Sequence, residues 1–352
     1  MTEAKDPGGG PPRQAIIRVV SGHGDRQAEG PDPATLYAPH SAAGRFFQPW
    51  GQVRRGIPEV LRWKLGTNEH AAAKRRRPVV PVVANDGSSL ARHVDGLEAT
   101  WVGHATVALH AGRQVIVTDP HFGPRAFLPP RITPPGLPVE AVPEGAVALL
   151  SHNHYDHLDE WTVARLPAGT AWMAPLGLGA FLRERGVAEV HEFDWWQSVR
   201  RGGWTFTCLP AQHWSRRLGQ SENTTLWCGW LAEGEGRRIY YAGDSGYFHG
   251  FAEIGRRFPG IDLALLPIGA YEPRWFMEPV HMNPADALCA FRDLGARVAL
   301  PVHWGCFDLT DAPVDLAPAV WHELAAVEEI DPARTPVLAV GERWVMPPGA
   351  DR

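Results

Sequence analysis

Four side chains able to bind a metal ion, His152, His154, Asp156 and His157, fall within six residues, and the apolar run from Ala146 to Leu150 leads straight into them. A short run of this kind, bounded by polar residues, reads as a buried strand. The cluster therefore occupies a loop at a strand end, where rigid scaffolds usually hold catalytic groups. In an extended segment positions 152 and 154 point the same way, while 156 and 157 follow at a turn and face a second point nearby. The spacing predicts two adjacent ions. Core packing gives no account of four ligating residue types in this order.

Two ions need further donors, because a structural zinc closes with four ligands and a catalytic one keeps a position for water. Candidates recur at one kind of place. His213 follows the strand-like segment 204–209, Asp244 follows 238–242, and His303 follows 298–301. Four strand ends converging on one rim would complete the site. Two dications flanked by two carboxylates keep a positive charge that stabilises hydroxide at neutral pH. No serine or cysteine nucleophile is then required.

The rest of the chain supplies a scaffold of the right kind. From about residue 97 the pattern is that of an α/β domain, with β-rich segments at 99–109 and 114–118 joined by a hairpin signal at Ala111, Gly112 and Arg113. Further strands are expected at 225–231 and 263–266, and helices near 160–165, 177–185, 284–294 and 316–328. Strands come first in runs and later alternate with helices, so hairpins and crossovers both occur. Residues 1–40, rich in Gly, Pro and charge, read as a disordered tail. Residues 41–95 read as an N-terminal extension packing on the core, and 96–350 as the main domain. The extension contains a short amphipathic helix around Ile57 to Leu65 with Pro58 in its first turn, where a missing N–H costs little. Its apolar face suits either the core or a lipid surface. The basic run Lys74 to Arg77 reads as a solvated linker, with contact to a phosphate headgroup as the alternative.

Composition removes several classes. A net charge of −5 gives no bulk attraction to nucleic acid or to an anionic membrane. The four cysteines are scattered, without the close pairs of a zinc ribbon or a disulfide framework, which points to a reducing cytoplasm. No stretch approaches the roughly 20 apolar residues that span a bilayer, so any membrane contact is peripheral, at the inner face. The fifteen tryptophans either fill the core or line a channel for acyl chains.

These features together resemble the metallo-β-lactamase superfamily, whose His-x-His-x-Asp-His motif is matched in full by residues 152–157. Within it, the chain resembles the branch of the N-acyl-phosphatidylethanolamine-hydrolysing phospholipase D. The matching segments are 45–50, 57–63, 100–106, 151–159, 194–196, 212–214, 242–247, 267–275 and 303–305, so the likeness runs from about residue 45 to the C-terminus. The segment Tyr271 to Trp275 and the N-terminal match specify the branch.

The resemblance implies an α/β fold of the αββα type, two mixed sheets between outer helix layers. It implies that His152, His154 and His213 hold one ion, that Asp156, His157 and His303 hold the other, and that Asp244 bridges them. Two zinc ions are expected, with iron or manganese compatible. The implied reaction converts N-acyl-phosphatidylethanolamine, or a related phospholipid or phosphodiester, to an N-acylethanolamine-type alcohol and phosphatidic acid through a hydroxide between the ions. Asp156, Asp244 and His281 carry catalytic roles, and Tyr155, Arg216 and His281 contact the substrate. Val280 stands where the animal enzymes of the family have glutamine, so different headgroup contacts are expected in this chain. His104 is expected to be buried and hydrogen-bonded near the site, His121 to line the pocket, and Asp119 to orient a ligating histidine. Hydrolysis of a lactone, an amide or a cyclic phosphodiester uses the same constellation and stays open, as does a non-catalytic metal-binding role. A homodimer is compatible with the sequence.

Overall fold

The computed structural model describes residues 31–51 and 55–347. Its strands, in chain order, begin with a small antiparallel pair, β1 (Ser41–Ala42) and β2 (Arg45–Phe46). They continue with β3 (Val94–Gly103), β4 (Thr106–Gly112), β5 (Gln114–Thr118), β6 (Val147–Leu149), β7 (Ala171–Pro175) and β8 (Glu189–Phe193). Next come β9 (Ser198–Arg201), β10 (Trp204–Leu209), β11 (Gly229–Gly234), β12 (Arg237–Tyr241), β13 (Leu263–Pro267), β14 (Val298–Val302) and β15 (Arg343–Val345). One sheet has the order β15-β3-β4-β5-β6-β7-β8 and the other β14-β13-β12-β11-β10-β9. Both are mixed. Strands linked by tight turns, β3 to β5, β9 to β10 and β11 to β12, pair antiparallel, as do β10 and β11 across the long loop 210–228, whereas those linked by crossovers, β5 to β8 and β12 to β14, pair parallel.

Side-chain alternation sorts the two faces of the first sheet. Val107, Leu109, Ile116, Val147 and Leu149 join the core shared with the second sheet, while their neighbours Ala108, Val115, Val117, Ala148 and Leu150 join a separate outer core. Burial on both faces explains why these strands read as continuous apolar runs. Among the described residues there are eight α-helices: α1 (Ile57–Leu65), α2 (Ala71–Lys74), α3 (Glu160–Val163), α4 (Gly179–Glu184), α5 (Gly250–Arg257), α6 (Arg274–Met277), α7 (Pro284–Leu294) and α8 (Ala317–Val327). Val163 of α3 and Leu182 of α4 cover the first sheet. Phe251 of α5, Leu288 of α7 and Trp321 of α8 cover the second, with α7 packed between the other two. The result is the αββα sandwich. Helix α7 has the bounds its sequence predicts: Asn283 accepts from the Asp286 N–H at 2.8 Å, Pro284 opens the first turn, and Gly295 ends it at φ 61°.

Several expectations need correction. Segment 99–109 is two strands, because the chain turns at His104, whose φ is 54°. Residues 1–30 lie outside the described residues, but 31–40 are not a tail. Asp32 caps a short 3-10 turn at Pro33–Tyr37, Leu36 is only 1% exposed within the core, and Tyr37 stacks on Trp196 with centroids 4.7 Å apart. The basic run is not simply solvated either. Lys74 contacts Asp308, and Arg76 grips Asp315 with two bonds of 2.7 and 2.9 Å, stapling the extension to the loop after β14. Strands β1, β2, β7, β8, β9 and β15 and helices α2, α5 and α6 escaped the sequence reading. The charged, half-buried strand Glu189–Phe193 shows why: little hydrophobic contrast marks it.

Most tryptophans fill the core, with Trp172, Trp204, Trp227, Trp230 and Trp321 fully buried. Trp230 packs edge-to-face on Phe193, and its indole N–H donates to the Leu150 carbonyl at 2.9 Å, just before the histidine cluster. Trp230→Ala is expected to cost about 3–5 kcal/mol of stability, measured by urea unfolding. A loss under about 1 kcal/mol would refute its role in joining the sheets.

Candidate metal centre

Each predicted ligand sits just beyond a strand. Strand β6 delivers Ser151 and His152, β10 leads to His213, β12 to Asp244 and β14 to His303, and the β3–β4 turn places His104 beside them. His154 Nδ1 lies 2.8 Å from His152 Nε2 and 3.2 Å from His213 Nε2. Around Asp156 Oδ2 stand His157 Nε2 and His303 Nε2, both at 3.4 Å, and His104 Nε2 at 3.0 Å. Asp244 Oδ2 lies between the groups, 3.1 Å from His303 Nε2, 3.2 Å from His157 Nε2 and 3.9 Å from His213 Nε2. The structure thus gathers His152, His154 and His213 in one donor group and Asp156, His157 and His303, with His104, in another, while Asp244 groups with His213 and His281.

The far nitrogen of a histidine decides which nitrogen it presents. His213 Nδ1 donates to the Val280 carbonyl at 2.9 Å, and His157 Nδ1 to Asp119 Oδ2 at 2.5 Å. His152 Nδ1 donates to Ser151 Oγ at 2.8 Å, and that hydroxyl donates to Asp119 at 2.5 Å. In all three, Nε2 is left for the cluster. Asp119 has the orienting geometry expected of it, and it also accepts from the Ser151 N–H at 2.6 Å and the Tyr241 hydroxyl at 2.5 Å.

The backbone is strained where the donors converge. His104, Asp119 and His303 have φ of 54°, 30° and 65°, a conformation costing about 1–3 kcal/mol per residue that persists only where the surroundings impose it. Two glycines make the approach feasible. A Cβ on Gly243 would lie 2.6 Å from Ser151 Cβ, and one on Gly269 would lie 1.9 Å from the His303 carbonyl oxygen.

Burial and charge divide the cluster electrostatically. Burial holds His152 and His213 well below the ordinary histidine range and His154 at about 4, so this triad is neutral at pH 7, as metal ligation needs. Burial also lowers His104 to about 3 and His281 to about 4. For His157 and His303 burial acts the same way but is outweighed by neighbouring carboxylates, Asp244 foremost, which raise His303 to about 9 and His157 well above its usual range. Burial would raise Asp156 and Asp244 in turn, yet the adjoining imidazoles hold both well below the carboxylate range.

The donor set fits a pair of cations. His157 Nε2, His303 Nε2 and Asp244 Oδ1 are buried atoms with no hydrogen-bond partner, although they face one another across the cluster. Buried imidazole nitrogens and ionised carboxylates in one enclosed space form a divalent-metal donor set, and cation binding would displace the protons that the carboxylates hold on His157 and His303.

The predicted substrate residues are placed unequally. His281 Nδ1 lies 3.8 Å from Asp244 Oδ2, with its ring stacked 5.5 Å from His303. Arg216 is exposed and lines a cavity of about 310 Å³ that reaches His213. The Tyr155 ring contacts Phe127 and the Arg217 guanidinium, and its hydroxyl accepts from the Leu218 N–H at 3.1 Å. His121 is fully buried against Phe307, with no hydrogen bond at either ring nitrogen.

Two positioning residues were missed. Buried Arg217 donates to the Asn153 and Leu158 carbonyls and so fixes the metal-motif loop. Gln48 Nε2 donates to the His213 carbonyl at 2.6 Å from the far N-terminal extension. The only sequence signal for Gln48 was its place in a family-like segment.

Residues 114–304 match the model of the Beta-lactamase superfamily domain. The chain is 34% identical over 327 residues to N-acyl-phosphatidylethanolamine-hydrolyzing phospholipase D 1 of Caenorhabditis elegans, across 85% of this chain and 90% of that one. It is 36% identical over 228 residues to the mitochondrial protein of the same activity name from Saccharomyces cerevisiae, across 60% of this chain and 48% of that one. A possible metal-dependent hydrolase from Veillonella parvula shares the fold at a TM-score of 0.58 and 15% identity, covering 71% of this chain and 100% of that one. The chain therefore belongs to the β-lactamase superfamily and is a metal-dependent hydrolase. Within that superfamily its place is with the N-acyl-phosphatidylethanolamine-hydrolysing phospholipase D branch.

Asp119→Asn keeps the shape of the side chain and removes the charge that orients His157. Metal affinity, measured by competition with a chelating dye, is expected to fall about 10- to 100-fold. Unchanged affinity would refute the orienting role.

Proposed function

We propose that the chain is a phosphodiesterase of phospholipase D type, acting on N-acyl-phosphatidylethanolamine or a close relative. The observation that carries this reading is the meeting of the two donor sets at one carboxylate oxygen, Asp244 Oδ2, beside a largely apolar cavity. The similarity to the nematode phospholipase supports the choice of substrate.

In this reading His152, His154 and His213 hold one ion, Asp156, His157 and His303 the other, and Asp244 both. Zinc is the preferred metal for mixed imidazole and carboxylate donors. Two divalent ions bound there supply Lewis acidity toward a phosphoryl oxygen and toward water. The bond from phosphorus to the ethanolamine-type alcohol breaks, water supplies the new phosphate oxygen, and a proton passes to the leaving alcohol. His281, uncharged at neutral pH, acts as a hydrogen-bond donor to a phosphoryl oxygen rather than as a strong acid. Asp156 and Asp244 stay ionised throughout and hold the imidazoles around them in place.

An amphipathic substrate has to reach this site from a lipid surface. Helix α1, whose Val60 and Trp63 line the cavity, turns Ile57 and Leu65 outward at 77% and 83% exposure, and Leu218 on the loop carrying Arg216 is 79% exposed. These apolar rims suit peripheral lipid contact. Among the described residues no helix is long and apolar enough to cross a membrane.

The direct test incubates the purified protein with N-acyl-phosphatidylethanolamine and follows N-acylethanolamine and phosphatidic acid. Release is expected to stop with chelator, to return with added metal, and to be absent in Asp244→Ala. Metal analysis should find about two ions per chain. Absence of metal-dependent release from this lipid and from a panel of model phosphodiesters would sink the reading. A separate prediction concerns lipid contact: Ile57→Asp with Leu65→Asp should weaken sedimentation with phospholipid vesicles by roughly tenfold or more, since each side chain gives up about 1.5–3 kcal/mol of burial. Full vesicle binding by that variant would remove α1 from the lipid-facing surface.

A further inference from the structure

Gln212, next to His213, uses both ends of its side-chain amide to tie together the loops that carry Asp244 and His281. Its Nε2 donates to the Pro279 carbonyl at 3.0 Å and to the Tyr247 carbonyl at 3.3 Å, and its Oε1 accepts from the Trp50 indole N–H at 3.0 Å. Its backbone belongs to the same junction: the N–H donates to Ser245 Oγ at 3.0 Å, and the carbonyl accepts from the Gly246 N–H at 2.9 Å. Two carbonyls on one side and an indole N–H on the other fix which end of the amide is nitrogen. An ionised carboxylate of the same shape has no hydrogen to offer the two carbonyls, so an amide is needed to satisfy all three partners.

The close approach of these loops is built into the chain. A Cβ on Gly246 would lie 2.6 Å from the Pro279 carbonyl oxygen and 2.8 Å from Gln212 Nε2, so the loop after β12 meets segment 279–282 where no side chain fits. Neighbouring bonds join the same partners: His213 Nδ1 donates to the Val280 carbonyl, and the Met282 N–H donates to the Ser245 carbonyl at 2.9 Å. The segment is also braced internally, since the His281 N–H donates to the Met277 carbonyl at 2.9 Å and Arg274 donates to the His281 carbonyl at 2.7 Å. The height of His281 above Asp244 therefore depends on where this braced piece is fastened to the rim, and Gln212 is a side chain that fastens it. There His281 Nδ1 stands 3.8 Å from Asp244 Oδ2, and its ring centre lies 5.2 Å from that of His213.

We infer that Gln212 is a positioning residue that fastens segment 279–281 to the rim and thereby holds His281 over Asp244, where it meets the phosphoryl group. The inference rests on the phosphodiesterase reading for what His281 contacts, and not for what holds it. Trp50 makes the N-terminal extension a party to the same alignment, because its indole N–H occupies Gln212 Oε1 and leaves Nε2 facing the carbonyls.

The test is a double-mutant cycle read as affinity for inorganic phosphate, measured by calorimetry on the metal-replete protein. His281→Ala is expected to weaken phosphate roughly 10- to 100-fold, as loss of one hydrogen bond to a charged group does. Gln212→Met keeps the length of the side chain and removes its donors. It is expected to retain metal at the wild-type level and to weaken phosphate at least about fivefold, because a misplacement of about 1 Å already disables such a contact. Added to His281→Ala, it changes affinity by less than about twofold, whereas residues acting independently would multiply their effects. In crystals of the metal-replete variant, residues 279–281 move by about 1 Å or more relative to Asp244 while His213 stays in place. Gln212→Glu repeats both measurements should the methionine variant fold poorly. An unmoved segment, independent effects or loss of metal overturns the inference. Unchanged phosphate affinity in His281→Ala instead removes the role given to His281 in the phosphodiesterase reading, and the crystal structure of the Gln212 variant then decides the placement by itself.

Discussion

One buried carboxylate, Asp119, holds the rim of the molecule together. A charge with no solvent contact is tolerated only when donors surround it, and here the donors come from both sheets. Ser151 and His157 approach from the loop after β6 of the first sheet, and Tyr241 from β12 of the second. The contact that satisfies the charge also fixes how the two sheets meet where the metal motif begins. Burial raises the Tyr241 hydroxyl well above its usual range, so it remains a donor. Both the alignment of the sheets and the ring orientation of His157 therefore depend on the same oxygen atoms.

From that junction outward, the site is expensive to build. Three residues in the left-handed region, buried imidazoles and two ionised carboxylates all cost free energy when no cation is present. Two features of the scaffold accommodate that cost. Gly243 and Gly269 admit backbone where any side chain would collide, and the core beneath, with Trp227 and Trp230, leaves the rim little room to relax. Metal binding would relieve the unpartnered nitrogen and oxygen atoms, so stability and occupancy are coupled.

What could be read from the chain was what is local. The ligand run after β6 and the donors after β10, β12 and β14 are marked by apolar stretches directly preceding them, and α7 is announced by its cap, its proline and its glycine. Harder to see were contacts made across long sequence separations. Gln48 reaches His213 over 165 positions, and Arg55 reaches Trp275 over 220, and no periodicity or spacing records either. The turn at His104 is marked only by the neighbouring Gly103, at φ 125°, while the left-handed position itself is a histidine whose backbone the surrounding donors hold. Lys74 and Arg76 looked like an ordinary solvated run because their partners, Asp308 and Asp315, lie at the other end of the chain.

That staple gives the N-terminal extension a standing in the molecule that its position in sequence conceals. The extension grips the His213 backbone through Gln48, supplies the cavity wall through Val60 and Trp63, and is pinned to the loop beyond His303 by Lys74 and Arg76. An engineer trimming the chain to its sandwich would keep every candidate ligand and still discard the pocket. Relatives that share the sandwich but carry a different leading segment can keep their metal chemistry while being free to accept quite different molecules.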